Sequence, residues 1–489
     1  MDLEVAHTRC KDRLVGAIEQ LQGKVEPIQL DNITELIVQT MTGPWRYFHT
    51  PDHIFEVGGS GDAIEVLAAL FHDLVYVQVD QGVSLNIGSY IAPFVKEVRD
   101  KDVKGKEVKG KLVIREATEL PSSRMFDMVT AIFGFSPGQV LSQMAGQNEF
   151  LSAVIAARSL EPFLSSSSIA QIVACIEATI PFRPVSPSGL SASEMLYQRL
   201  VVAKGQFNFR WSDDQIIEIV KRCVRLSNRD VENFAYSNSA DFLDNTWNLL
   251  PETNHELIKA NSYKVAEYRM SLQKMEGFMN FLSPEVVFQR FMGEPDEETY
   301  QALISRTRKN LEVAKLYLGC KLVSIAIIEA LSMRLAQDIP LSTLMGELPT
   351  QGSKTPSLED FIPDIQSANK PETVLESEVL ELLTKGRNQD STYDLKNSPI
   401  ATFIVNSMGF PSVRYLIQRA KEFFAETISP DEFLRECDPD AIRTIIDGVE
   451  KLFESRVRAL RGVSEEAKLI FEPFQAAMST IGQELASEA

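Results

Sequence analysis

The sequence predicts an all-α fold: a helical core carrying an inserted lobe, followed by a C-terminal helical domain. Three observations carry this. Apolar residues recur at helical spacing through most of the chain. Helix-start signals stand at several of those runs. Strand-like alternation is confined to the stretch between residues 77 and 122. At 489 residues, with 44% hydrophobic and 24% charged side chains, the chain has an ordinary globular balance. It is long enough for two or three domains.

Taken in order, "RLVGAIEQLQGKV" and "NITELIVQTM" read as helices. In "HTPDH", Thr50 suits an N-cap and Pro51 a first helical residue, so a helix starts there. "DAIEVLAALFHDLVY" is a stronger helix. Asp62 can cap it, and Ile64, Leu67, Ala68 and Phe71 share one face. Residues 77–146 are expected to form the inserted lobe. "VYVQVDQGVSL" alternates, and "DVKGKEVKGKLVIREA" repeats a KxVKGK run before a strand-like segment, which predicts a short β-hairpin. Its lysines suit either a phosphate contact or a solvated turn.

Helical periodicity resumes in "GQNEFLSAVIAARSLEPFL", "SSIAQIVACIEATI" and "DDQIIEIVKRCVRL", with the break "PFRPVSPSGLSAS" between the last two. These elements make a first domain over 1–280. The second, 281–489, opens with a long helix or helix pair and contains a linker or lid over about 338–400, rich in Pro, Ser, Thr and acids. In "SPDEFLRECDP", Ser429, Pro430 and Glu432 stand where N-cap, N1 and N3 of a capping box belong. "KLYLGCKLVSIAIIEALSM" carries Lys321 and Glu329, which suits a buried core helix or a homodimer interface and not a membrane span.

A net charge of −19 excludes non-specific binding to double-stranded nucleic acid. A phosphate-bearing substrate would then need local cations. The five cysteines are widely spaced with no CxxC pair, and the N-terminus has no signal-peptide pattern. Reduced thiols in a cytoplasmic protein follow.

Three of the five histidines, His49, His53 and His72, fall within one short stretch, the last followed by Asp73. The cap at Thr50-Pro51 makes the first two unequal. His53 lies in a helical turn and has a fixed direction. His49 lies outside it, free to move a proton. "FHD" ends an apolar helix and brings imidazole and carboxylate to one point, a donor set that suits a divalent cation such as Mn²⁺, Fe²⁺ or Mg²⁺. Polar side chains satisfied within a helical core are the competing reading.

"YFHTPDHI" followed by "LAALFHDLVY" resembles the HD-domain superfamily of metal-dependent phosphohydrolases. The first segment is similar to the histidine segment of cyclic-nucleotide phosphodiesterases and of small predicted HD hydrolases, and the second to their HD helix. "QNEFLSA" resembles the "NE..SA" segment of the small type. The resemblance spans about residues 45–235. It implies an all-α core with His53, His72, Asp73 and Asp230 as ligands to one divalent metal ion (Mn, Mg, Fe or Ni). Asp241 and Asp244 compete with Asp230 for the last place. It implies His49 as proton donor to the leaving oxygen and Glu149 as a water-positioning acid. No histidine stands in "ATIPFRP", where small members often carry one. That points to one metal and away from diiron oxygenase chemistry.

The expected activity is hydrolysis of a phosphate ester, such as a nucleotide or similar small phosphate. Asp73 or Glu149 would orient the attacking water and His49 would act as general acid. Arg46 and Arg183 are the candidate phosphate contacts, with surface salt bridges as their plain alternative. A second reading is a regulatory HD protein that binds metal or ligand without turnover and acts on a partner through its C-terminal half.

Overall fold

The computed structural model describes residues 2–99, 110–336, 339–348, 355–363 and 369–461. Its secondary structure is helical apart from one two-stranded antiparallel sheet, the all-α fold with a small hairpin. The lysine-rich repeat at 101–109 and segments of the expected linker (338, 349–354 and 364–368) lie outside the described residues. The chain divides into two compact units, residues 1–255 with 277–314, and residues 256–276 with 315–489. The sequence reading places one boundary near 280; here the chain passes between units three times.

Unit 1 starts with α1 (Leu3–Gln20) and α2 (Pro27–Met41), which pack together. A short α3 (Pro51–Val57) follows, with Thr50 in extended geometry at the N-cap and Pro51 in the first turn. The Thr50 hydroxyl makes no capping bond. Pro51 has no N–H to satisfy, which lessens the need for one. α4 (Ala63–Phe71) is capped by Asp62, whose Oδ1 accepts from Ile64 N at 2.9 Å and Glu65 N at 3.2 Å. Eight of its nine residues are buried, Ala63 to Glu65 and Leu67 to Phe71. An apolar run wrapped on all sides is what a central helix requires. α1, α7, α8 and α10 surround it.

The lobe comprises α5 (Leu85–Ile91), β1 (Val95–Val98), β2 (Lys111–Ile114) and α6 (Arg124–Phe133). β1 and β2 pair with Val95 opposite Ile114. α6 buries Met125, Phe126, Met128, Val129, Ile132 and Phe133 in the main core, so the second half of the lobe is part of that core. α7 (Gln147–Leu160), α8 (Ser166–Ala178) and α9 (Ala192–Gln206) follow. α10 (Asp213–Asp230) begins with a capping box between Ser212 and Gln215. It buries Ile216, Ile219, Val220, Cys223, Val224 and Leu226 on one face. α11 (Ser239–Thr253) ends the first segment of the unit.

α12 (Val265–Phe281) and α14 (Glu297–Ser332) contribute residues to both units, and the short α13 (Pro284–Val287) lies between them. The apolar stretch of α14 is a core helix of unit 2: Tyr317, Leu318, Val323, Ala326 and Ile327 are fully buried. α15 (Leu341–Met345), α16 (Val374–Lys385), α17 (Pro399–Phe424) and α18 (Pro430–Glu436) complete the labelled helices, and residues 439–461 are also helical. α17 is kinked at Gly409, whose φ of 77° and ψ of 158° precede Pro411. The capping box of Ser429 and Glu432 is formed, with Pro430 in the first turn. Among the described residues no helix is long and apolar enough to cross a membrane.

Candidate metal centre

Three elements converge on one point of unit 1. α3 presents His53 from its first turn. The C-terminal end of α4 presents His72, followed at once by Asp73. α10 presents Asp230 from its last residue. One ligand atom from each of the four lies within 4.8 Å of all the others. His53 Nε2 is 3.1 Å from Asp230 Oδ1 and 3.3 Å from Asp73 Oδ2. His72 Nε2 is 3.2 Å from Asp230 Oδ1 and 3.0 Å from Asp73 Oδ2. Neighbouring ligands on one cation at about 2.1 Å stand about 3.0 Å apart at right angles and about 3.4 Å apart in a tetrahedron. Four of the six edges fall in that range, and the other two are within 4.8 Å.

The electrostatics fit the same group. Burial alone would lower the His53 imidazole, but Asp230 and Asp73 outweigh it and push it up to about 9. His72 is raised for the same reasons. Burial would raise the Asp230 carboxyl, but His72 and His53 hold it down to about 2. Asp73 is likewise held well below the carboxylate range, chiefly by His72 and His49 against its burial. Two imidazoliums and two carboxylates balance. Exchanging the two extra protons for one divalent cation leaves the net charge unchanged.

Two details suit a metal-binding group. His72 Nδ1 lies 2.8 Å from the Ala69 carbonyl. A carbonyl only accepts, so Nδ1 carries the proton and Nε2 is the nitrogen turned to the cluster. Asp73 Oδ2 is buried and faces the Nε2 atoms of both imidazoles within 3.3 Å. His53, His72, Asp73 and Asp230 can therefore hold a metal ion. Asp241 and Asp244, the competing aspartates, lie on α11 outside the group.

His49 stands just outside α3 and beside this cluster. Its ring centroid is 5.6 Å from that of His53 and 4.6 Å from that of Tyr76. Its Nδ1 lies 2.6 Å from Glu252 Oε2. Glu252 Oε1 accepts three backbone N–H groups, from Tyr47 and Phe48 at 2.8 Å and from His49 at 3.0 Å. One carboxylate from the end of α11 thus clamps the whole turn and fixes the imidazole. Sequence reading missed Glu252. It sits in "LLPETNH" with no local motif, and only its partners give it a role.

Glu149 lies on α7 with Oε2 buried and without a hydrogen-bond partner. Burial first, then the charges of Asp73 and Asp230, push its carboxyl up to about 7. Its neighbours in the same segment brace the chain after Asp73. Ser152 Oγ accepts from Val75 N at 3.0 Å, and Asn148 Oδ1 from Val77 N at 3.2 Å.

The two arginines are committed to local partners. Arg46 is buried, with Nε and Nη2 on Asp80 at 2.8 and 2.6 Å, and Nη1 on the Asp73 carbonyl at 2.8 Å. Further contacts to the Leu74 carbonyl and Met41 Sδ use its remaining N–H groups, so it braces the backbone of a candidate ligand. Arg183 pairs at 2.6 Å with the buried Glu177, which Arg199 also neutralises. All five cysteines are free and buried.

Comparison with protein-family models finds no match, and comparisons with curated proteins and with solved structures find none either.

Proposed function

We propose that unit 1 is a metal-dependent phosphohydrolase of the HD type, acting on a small phosphate ester such as a nucleotide. The observation that carries this reading is the pairing of a four-ligand His/Asp group with a separate, carboxylate-held histidine beside it. A structural ion-pair cluster has no need of the second feature.

His53, His72, Asp73 and Asp230 would hold one divalent cation. When bound, such an ion polarises a phosphoryl oxygen and makes a water more acidic. Glu149 or Asp73 orients the attacking water by accepting its hydrogen bond. Glu149 suits this task because a carboxyl near 7 can accept a proton at neutral pH. His49 gives a proton to the departing ester oxygen. Glu252 holds the ring in place and keeps Nδ1 turned away from the leaving group. The water oxygen bonds to phosphorus as the P–O bond to the ester oxygen breaks; the water's proton passes to the carboxylate that orients it, and the proton from His49 ends on the alcohol.

The engagement of Arg46 and Arg183 by Asp80 and Glu177 favours the second reading, a metal- or ligand-binding module without turnover. One experiment separates the two. Metal content is measured on purified wild type and His49→Ala, and both are screened against phosphomonoesters and phosphodiesters with Mn²⁺, Mg²⁺, Fe²⁺ and Ni²⁺. The hydrolase reading expects one bound ion in each and at least a hundredfold loss of hydrolysis in the variant. Metal binding with no hydrolysis in wild type refutes it in favour of the module. Absence of metal binding refutes the hydrolase and leaves only the ligand-binding form of the module.

A further inference from the structure

Unit 2 holds a pocket of about 140 Å³, partly open to solvent, that takes no part in the chemistry above. α12, α14, α15 and the chain around 394–401 line it. Ile325 and Ile328 of α14, Leu341 and Met345 of α15, and Ile400 give it apolar walls. Two tyrosine rings, Tyr263 and Tyr268, add aromatic surface.

A charged group is built into the same lining. Lys321 is 5% exposed, in the middle of the apolar stretch of α14. Its Nζ donates to Asp394 Oδ2 at 2.8 Å and to Ser398 Oγ at 3.1 Å. The Tyr268 hydroxyl donates to the same Asp394 oxygen at 2.7 Å. A buried ion pair is a poor source of stability, because desolvation offsets most of its attraction. Apolar walls with a few convergent polar groups are instead the usual make-up of a small-molecule site.

Size and charge narrow the ligand. A cavity of about 150 Å³ admits one benzene-sized ring. Lys321 and Asp394 neutralise each other, and Glu347 adds negative charge to the lining. An anionic ligand is therefore disfavoured and an uncharged one is matched. We infer that this cavity binds a small uncharged aromatic molecule bearing one hydrogen-bonding substituent, its ring on the Ile325–Ile328 wall and its substituent at the Lys321–Asp394–Ser398 group.

The test is saturation-transfer NMR on the full-length protein with phenol, indole and benzoate as probes. Phenol and indole are expected to bind, with benzoate at least tenfold weaker. Ile328→Phe, which fills the cavity, should weaken both binders at least tenfold. Ser398→Ala, a smaller change outside the apolar wall, should weaken phenol at least threefold and leave the helical circular dichroism unchanged; it decides the matter if Ile328→Phe fails to fold. No binding of phenol or indole at millimolar concentration overturns the inference, leaving a space that holds water only. Benzoate binding as well as phenol overturns the charge assignment. Binding indifferent to the substitutions places the ring elsewhere and overturns the site.

Discussion

Replacement of Glu252 separates two jobs that one carboxylate performs. Its side chain is 2% exposed, and it accepts three backbone N–H groups on Oε1 while Oε2 holds His49. Glu252→Ala removes all four bonds. The three amides sit on a partly buried turn and regain some water, so each loss is about 1 kcal/mol, and the charge-assisted bond from His49 to the carboxylate adds about 2 kcal/mol. The expected destabilisation is about 4–5 kcal/mol. Glu252→Gln keeps an acceptor for the three amides and sets an NH₂ against Nδ1–H. It should lose about 2 kcal/mol, or less if the imidazole shifts its proton to Nε2. All three tryptophans, Trp45, Trp211 and Trp247, lie in unit 1. Urea unfolding followed by their fluorescence therefore reads this unit alone, and ¹⁵N shifts of the His49 ring read the tautomer. A glutamine variant as unstable as the alanine variant, or an alanine variant within about 1 kcal/mol of wild type, would refute the clamp.

Four further outcomes are expected. Metal binding displaces protons from His53 and His72, so with the His53 imidazole near 9 the apparent affinity for Ni²⁺ or Mn²⁺ should rise up to about a hundredfold per pH unit below that value; calorimetry in buffers of different ionisation heat counts the protons released. His53→Ala and Asp230→Asn should each lose the metal-dependent gain in unit 1 stability, which is about 2.7 kcal/mol for wild type at a hundredfold excess over Kd; thermal melting with and without metal measures it. In unit 2, burial would raise the Asp394 carboxyl, but Lys321 and Arg387 hold it below the ordinary range. Its stabilisation is therefore complete above the unfolded value, about 3.9, and lost as pH falls through the lower folded value; Lys321→Met should move to higher pH the acid unfolding step that is seen by far-UV circular dichroism but not by tryptophan fluorescence. Gly146 has a φ of 86° at the start of α7, and a Cβ there meets the Ile180 side chain. Gly146→Ala should cost about 2 kcal/mol, seen as a lower urea midpoint for unit 1.

The legible part of this molecule is what local chemistry writes into neighbouring residues. Helical periodicity marks α4 and α10, and the turn chemistry at Thr50-Pro51 marks the start of α3, although the hydroxyl proves to make no cap. The capping box at Ser429 is visible because its partners are three residues apart. The hairpin is visible because alternation is rare elsewhere in the chain. Arg46 is harder: proximity to the histidines suggests a ligand contact, while its partner Asp80 lies 34 residues on with no pattern to announce it. Arg183 shows the same limit. Its partner Glu177 reads as part of an apolar helix, and the need to neutralise a buried carboxylate appears only when the helix is packed. The choice of Asp230 over Asp241 and Asp244 as the geometric neighbour of His53 depends on where α10 ends, which no spacing rule supplies.

The bonds that close the centre also have long reach along the chain. His53 meets Asp230 across 177 residues, and Tyr47 meets Glu252 across 205. Loop closure over such spans is entropically unfavourable until the intervening helices have condensed. On a ribosome the HxxxH and HD segments emerge early, and then wait for α10 and α11 to supply carboxylates. The histidine cluster is thus expected to form late in folding. Its appearance, followed by metal uptake or by His49 ring shifts, reports that α3, α4, α10 and α11 have come together.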